Sequence, residues 1–279
     1  MAFQLRPVHP ILHFLVFRSS RVPSVSNLRR DIQRLLADQS AIHGPFLPLP
    51  DEEPLSSLPP AGRPDAIEPP FDRILSLIAG DSPLRRLTTL DEVADYIDRT
   101  ILIPIDLNRT NPVPGVGNPN ANLMVIGEAP GADEDRIGEP FVGQAGQLLD
   151  KILLAINFTR EDVYIANILK SRPPNNRDPE TEEVAAHLPI LLRQITLVKP
   201  KLILCVGRIA GNVLLGTNTT LKALRETRFH DFHGIPLKVT YHPAALLRNK
   251  QYKHPTWDDV RDLRTRYDEL VAQAIARPN

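Results

Sequence analysis

The chain has 279 residues, of which 42% are hydrophobic, and its 33 Lys+Arg balance 33 Asp+Glu. That length holds one ordinary-to-large domain with appendages, and zero net charge excludes a chain that is a polycation throughout. A single cysteine excludes an intrachain disulfide and fits a cytosolic setting, and no apolar run reaches the roughly 20 residues of a membrane span.

The charge is unevenly spread. Lys199 to Arg266 holds 13 Lys+Arg against 5 Asp+Glu, whereas Asp51 to Thr100 holds 5 against 11. This asymmetry permits a basic face on a neutral chain, although taken alone it reads as ordinary solvated surface.

In chain order, Met1 to Val22 contains the apolar run Ile11 to Phe17. Pro7, His9, Pro10 and His13 interrupt it and no small-residue cleavage site follows, so it reads as an extension rather than a signal peptide. Asn27 to Gln39 has helical periodicity, with Leu28, Ile32, Leu35 and Leu36 on one side. Nine prolines then fall between Pro45 and Pro70 in a tract rich in Asp, Glu and Ser, which is the composition of a linker. The expected organisation is an extension with a short helix over 1–40, a Pro-rich acidic linker over 41–70, and a folded domain over 71–279.

Within that domain Phe71 to Ala79 reads as a short helix, and Thr89-Leu-Asp-Glu92 is a capping box opening a helix to about Asp98. Strands are expected at Leu123–Ile126, Val163–Ala166, Leu202–Val206 and Leu237–Thr240. Helices are expected at Gln144–Ile156, Thr181–Val198, Ile209–Leu215 and Thr256–Ala274. Strands alternating with helices imply an α/β fold: a three-layer α/β/α sandwich with a central, mainly parallel sheet. Phe229–Phe232 and Leu237–Thr240, joined through Gly234, read as a hairpin at one edge. Cys205 lies in an apolar strand and reads as a small buried hydrophobe.

The most informative stretch is Leu123 to Leu153. A strand breaks into the turn Gly127-Glu128-Ala129-Pro130-Gly131, then come acids, Pro140-Phe141-Val142-Gly143, and an amphipathic helix. Such folds bind ligands at the carboxyl ends of their strands, so Glu128 and Phe141 are expected to share a pocket.

GEAPG, then ED, then PFVG-x-AG-x-LL resembles the first motif of the family-4 uracil-DNA glycosylases. Tyr164 to Asn167 followed by Lys170 to Pro174 resembles their central segment, and His242 to Arg248 their second catalytic motif. The resemblance spans roughly Asn108 to Leu270, in order and with compatible spacing. It implies a monofunctional glycosylase that flips uracil from DNA and hydrolyses its N-glycosidic bond, starting base-excision repair.

That chemistry needs a stacking face, amide-type recognition, a donor to the base oxygen and a carboxylate near the sugar, and no cofactor in principle. The resemblance implies that Phe141 stacks on uracil, although spacing alone fits a core aromatic equally. It makes Asn167 the reader of the uracil edge, against a strand-end Asn bonding its own backbone. His242 is implied as donor to uracil O2, and Glu128 as the carboxylate that favours the cationic sugar or activates water. The backbone of Gly127 and Ala129 is expected to help hold the base, and Asp133, Glu134 and Asp135 to cap or solvate the next turn. Leu246 is the expected wedge into the duplex, with helix-start packing the plainer alternative, and Arg248 is expected on phosphate. Lys170, Arg172, Arg177 and Arg208 are further candidate phosphate contacts.

The resemblance also implies an iron–sulfur cluster on four cysteines. Their places fall on Thr100, Ile103, Ser171 and His187, so no metal site or cofactor is expected. Apolar packing of Leu188, Ile190 and Leu191 against Ile101, Ile103 and Ile105 is the expected replacement. The expected partner is uracil-containing DNA, met by a cytoplasmic monomer (nucleoid-associated in a bacterium), with no membrane and with a repair partner on the Pro-rich segment. Two rivals stand beside this reading: a catalytically inactive DNA-binding or scaffold homologue, and a nucleotide-processing enzyme whose GEAPG turn cradles phosphate. The absence of GxxxxGK[ST] and GxGxxG weighs against the second.

Overall fold

The computed structural model describes residues 70–276. The expected extension, its Asn27–Gln39 helix and all of the linker up to residue 69 lie outside the described residues.

The helices are α1 (Pro70–Ser76), α2 (Leu90–Arg99), α3 (Pro104–Leu107), α4 (Ala132–Ile137), α5 (Gln144–Ala155), α6 (Thr181–Val198), α7 (Arg208–Leu215), α8 (Leu221–Glu226), α9 (Pro243–Arg248) and α10 (Lys253–Ala276). The strands are β1 (Val116–Gly117), β2 (Leu123–Gly127), β3 (Val163–Asn167), β4 (Leu202–Val206), β5 (His230–Phe232) and β6 (Ile235–Thr240). They form one sheet in the order β1-β3-β2-β4-β6-β5. The four inner strands run parallel, and the edges β1 and β5 are antiparallel.

Of the inner strands, β2, β3 and β4 are short, wholly buried and mainly apolar, as a sheet covered on both faces requires. Alternation divides their side chains between two cores. Met124, Ile126, Ile203, Cys205, Leu237 and Val239 face α1, α2, α6, α7 and α8. Leu123, Val125, Leu202, Leu204 and Val206 face α5 and α10. These are the three expected layers, each buried Leu or Ile contributing about 1.5–3 kcal/mol. Cys205 is one such side chain, and its burial pushes the thiol pKa well up.

The capping box forms as its residues require: Glu92 N–H donates to Thr89 Oγ1 at 3.1 Å, and Thr89 N–H donates to Glu92 Oε2 at 3.2 Å. Four short helices, α3, α4, α8 and α9, have too few turns for periodicity to reveal them. Ile105, Ile190 and Leu191 share a core with Ile103 and Leu188 at its rim, but Ile101 is exposed. The apolar replacement expected there is therefore only partly built. Among the described residues no helix is long and apolar enough to cross a membrane.

Candidate active site

The register brings four strand ends level. Gly127 pairs with Asn167 across β2 and β3, and Val206 pairs with Thr240 across β4 and β6. Beyond these ends lies a cleft of about 580 Å³, whose lining includes Glu128, Phe141, Asn167, His242 and Arg248. Residues up to 120 positions apart in sequence thus meet at the edge where open α/β sheets bind ligands.

Close approach sets the floor of the cleft. A Cβ on Gly127 would lie 2.3 Å from Asn167 Oδ1 and 2.5 Å from Phe141 Cζ, so only glycine lets the amide and the ring close over this point. Gly127 does not line the cleft, and what it provides there is space; Glu128 and Ala129 do line it. Gly207, beneath His242, is favoured for another reason: its φ of +108° is one that other residues rarely adopt, while a Cβ there would make only ordinary contact with His242.

Asn167 is 2% exposed, and its Oδ1 has no hydrogen-bond partner. An unpaired buried acceptor costs about 1–3 kcal/mol unless something binds it. The main chain that carries it is held in place, with Ile168 N–H on Gly127 O and Leu169 N–H on Glu128 O, each at 3.0 Å.

Phe141 adopts φ 54°, a left-handed conformation unusual for a bulky residue. Both sides of it are braced. Arg160 donates to Phe141 O at 3.0 Å and to Pro140 O at 2.7 Å. Glu134 Oε1 accepts Val142 N–H at 2.9 Å and Gly143 N–H at 3.0 Å, while Oε2 accepts Gly131 N–H at 3.1 Å. Glu134 is thus a brace for the ring's loop as well as a cap. Asp135 is buried and accepts from the Thr110 N–H and hydroxyl, and Asp133 sits on the surface beside Arg136. Arg160 carries no local signal of this role in the sequence.

His242 lies 5.6 Å from Phe141, ring centroid to ring centroid, at a tilt of 31°. Its Nδ1 accepts Ala244 N–H at 3.2 Å and caps α9, so the neutral ring carries its proton on Nε2. Burial, helped by the nearby Arg248 charge and opposed by Glu134, lowers its pKa from 6.5 to about 4. Glu128 moves the other way: burial, and then the charge of Asp178, raise it from 4.5 to about 7 against the pull of Arg208. One cleft therefore holds a neutral imidazole donor and a carboxylate poised near neutrality.

Two expectations are corrected by burial. Lys170 is fully buried, with Nζ on Asn167 O at 2.6 Å and Gln194 Oε1 at 2.7 Å, so it cannot reach a phosphate. Leu246 is 3% exposed and packs inward; the neighbouring Leu247, 48% exposed, is the apolar tip of α9. The other basic residues stay near the surface. Arg172 donates to Asn176 at 2.7 Å, Arg208 faces Asp178 at 3.5 Å, and Arg248 is exposed at the cleft. Arg177 is held by Glu183 in a two-pronged pair at 2.7 and 2.8 Å.

An open, mainly parallel sheet with a polar cleft at its strand ends is the architecture of a ligand-binding α/β protein. The chain belongs to the uracil DNA glycosylase superfamily, whose sequence profile matches residues 114–263. A type-4 uracil-DNA glycosylase of Archaeoglobus fulgidus is 40% identical over 184 residues, covering 63% of this chain and 92% of that one. The type-4 enzyme of Pyrobaculum aerophilum is 41% identical over 170 residues, 57% of this chain and 85% of its own. That of Thermotoga maritima is 40% identical over 162 residues, 58% and 84% respectively.

The iron–sulfur cluster implied by the resemblance does not fit these residues. Thr100, Ile103, Ser171 and His187 offer no thiolate, and Cys205 is enclosed in β4. Ser171 Oγ and His187 Nε2 both point at one carboxylate oxygen, Asp106 Oδ1, at 2.5 and 3.2 Å.

Proposed function

We infer that this protein is a monofunctional uracil-DNA glycosylase that hydrolyses the bond between uracil N1 and the deoxyribose C1′. The observation that carries the reading is the unpartnered, buried Oδ1 of Asn167 in the wall of the cleft. Uracil offers a donor at N3 and an acceptor at O4, which match the carbonyl and amino ends of that amide. Cytosine reverses both groups. The family and the type-4 relatives support the same substrate.

On this reading the base leaves the stack and lies against Phe141. As the N1–C1′ bond breaks, its electron pair passes into the uracil ring and builds negative charge on O2. His242 Nε2–H donates to that oxygen, as a neutral donor can without losing its proton. The sugar becomes cationic, and Glu128 in its ionised form stabilises it and takes a proton from the attacking water, whose oxygen bonds to C1′. Uracil then takes a proton from solvent. Arg248 at the cleft and Arg208 beside Asp178 are the contacts for phosphate, and Leu247 is the wedge. No cofactor enters these steps, and the enzyme acts as a monomer in the cytoplasm, where its DNA lies.

The test is incubation with an end-labelled uracil oligonucleotide, followed by alkaline cleavage of abasic sites. Uracil-dependent cleavage is expected, and Asn167→Ala should lower it by roughly 10²-fold or more while binding to undamaged DNA is unchanged. A wild-type protein that binds DNA without releasing uracil would establish the inactive-homologue reading instead.

A further inference from the structure

Three segments separated in sequence meet behind Asn167: the stretch from Thr100 to Arg109, the loop after β3, and α6. Asp106 stands at their junction, 3% exposed. Its Oδ1 accepts from Ser171 Oγ at 2.5 Å and from His187 Nε2 at 3.2 Å, with Arg109 Nη1 3.5 Å away. Its Oδ2 accepts the N–H groups of Leu102 at 2.9 Å and Ile103 at 3.2 Å.

Each partner is satisfied on its other side. His187, 1% exposed, accepts Lys170 N–H on Nδ1 at 3.0 Å, which leaves Nε2 as the donor to Asp106. Ser171 Oγ accepts from Arg109 at 3.3 Å. Arg109 also donates to the carbonyls of Ile97, Asp98 and Thr100 at the end of α2. Burial works against a charged Asp106. The hydrogen bonds from His187, Ser171 and Leu102 outweigh it and hold the carboxyl below the usual carboxylate range.

We propose that the Asp106–His187–Ser171–Arg109 network is a polar clasp that replaces a four-thiolate cluster and fixes the loop bearing Asn167, which makes its members positioning residues for base recognition. Two of the four, Ser171 and His187, stand where the resemblance calls for cysteines. The link to Asn167 is short. Lys170 N–H is held by His187, Lys170 O accepts Val113 N–H at 2.9 Å, and Lys170 Nζ returns to Asn167 O. A shift of Ser171 therefore reaches the amide through three intervening residues. A buried network that is fully satisfied fixes geometry, and removing one member leaves the others unpaired. The positioning role rests on the reading of Asn167 given above.

The experiment compares hydrogen–deuterium exchange and uracil excision in the full-length protein, in Asp106→Asn, and in the milder Ser171→Ala. Leu263→Ala, a fully buried change on the opposite face of the sheet, is the control. Amides of 100–109 and 168–172 should exchange at least tenfold faster in Asp106→Asn and measurably faster in Ser171→Ala, with β4 and β6 unchanged. The kcat on uracil should fall at least tenfold in Asp106→Asn, and not in Leu263→Ala. Unchanged exchange at 168–172 in both clasp variants overturns the proposal, and so does loosening spread evenly over the strands or an equal loss of kcat in the control. Purification without oxygen should yield no stoichiometric iron; about four irons per chain would overturn the proposal too. The exchange result does not depend on activity, so an inactive wild type would sink the functional reading alone.

Discussion

Lys170 Nζ lies 2.6 Å from the carbonyl oxygen of Asn167, three residues earlier in the chain. A buried amino group thus holds the main chain of the residue read as the base reader, and Gln194 on α6 holds that group at 2.7 Å. Burial pulls the Lys170 pKa from 10.5 down to about 7. Between those values the unfolded chain carries the proton more often than the folded one, so stability rises with pH across that window. Lys170→Met keeps a long apolar stem without the charge. The variant should lose this rise, which amounts to a few kcal/mol at most, and should lose uracil excision because Asn167 O and Gln194 Oε1 are left bare. Urea unfolding at pH 7 and 9.5 reads the first effect. Parallel slopes in the two proteins would show that Lys170 is not buried as a strained cation.

His242 has two jobs that one substitution can separate. Its Nδ1 caps α9, and its Nε2–H is the donor proposed for uracil O2. His242→Ala removes both and should destabilise by about 0.5–2 kcal/mol through the lost cap. Asn is a good N-cap but does not reach as far. His242→Asn should therefore unfold like the wild type while its single-turnover rate falls by roughly 10²–10³, the scale of one oxyanion donor. An unchanged rate in His242→Asn would remove the imidazole from the chemistry.

Glu128 links activity to pH with an opposite effect on stability. Burial raises its pKa from 4.5 to about 7, so between those values the folded protein holds the proton more tightly than the unfolded chain. Stability contributed by this group is greatest below about 4.5 and falls as pH rises through 7. Glu128→Gln should therefore be more stable than wild type by about 1–3 kcal/mol at pH 8, with the gain gone at pH 4.5. Activity moves the other way. Wild-type excision should rise with a midpoint near pH 7 as the carboxylate ionises, and Glu128→Gln should be slower by about 10²–10⁴ with no such rise. A wild-type profile flat from pH 5.5 to 8.5 would contradict the role given to Glu128.

The inner strands and the long helices were legible because each is an apolar run or a sustained period. Leu202–Val206 and Thr181–Val198 appear with the expected bounds. The cleft was legible because turn residues follow those strands directly. What escaped depends on distance in space. Lys170 reads as a surface cation until Gln194, 24 residues on, is known to face it. Asp106 meets Ser171 across 65 residues, and no local pattern announces that contact. One signal was present: serine and histidine at two expected cysteine positions are polar groups that need a buried partner, and an apolar replacement leaves them without one.

Leu246 and Leu247 show the same limit on the smallest scale. Adjacent residues on a helix point about 100° apart, and a six-residue helix has too little pattern to say which one faces inward. Leu246 is buried and Leu247 exposed, so the two alanine variants should differ in kind. Leu246→Ala opens a cavity against the domain and should cost about 2–5 kcal/mol of stability. Leu247→Ala should stay within about 0.5 kcal/mol of wild type in stability. Its effect should appear on duplex substrate, where an apolar tip fills the space left by the flipped nucleotide and slows its return. Single-stranded uracil DNA has no such space to fill, so the ratio of duplex to single-strand rates should fall several-fold in Leu247→Ala and stay unchanged in a stabilised Leu246→Ala background. Equal losses on both substrates would mean that Leu247 contacts the strand without wedging, and the role would pass to another residue of the rim.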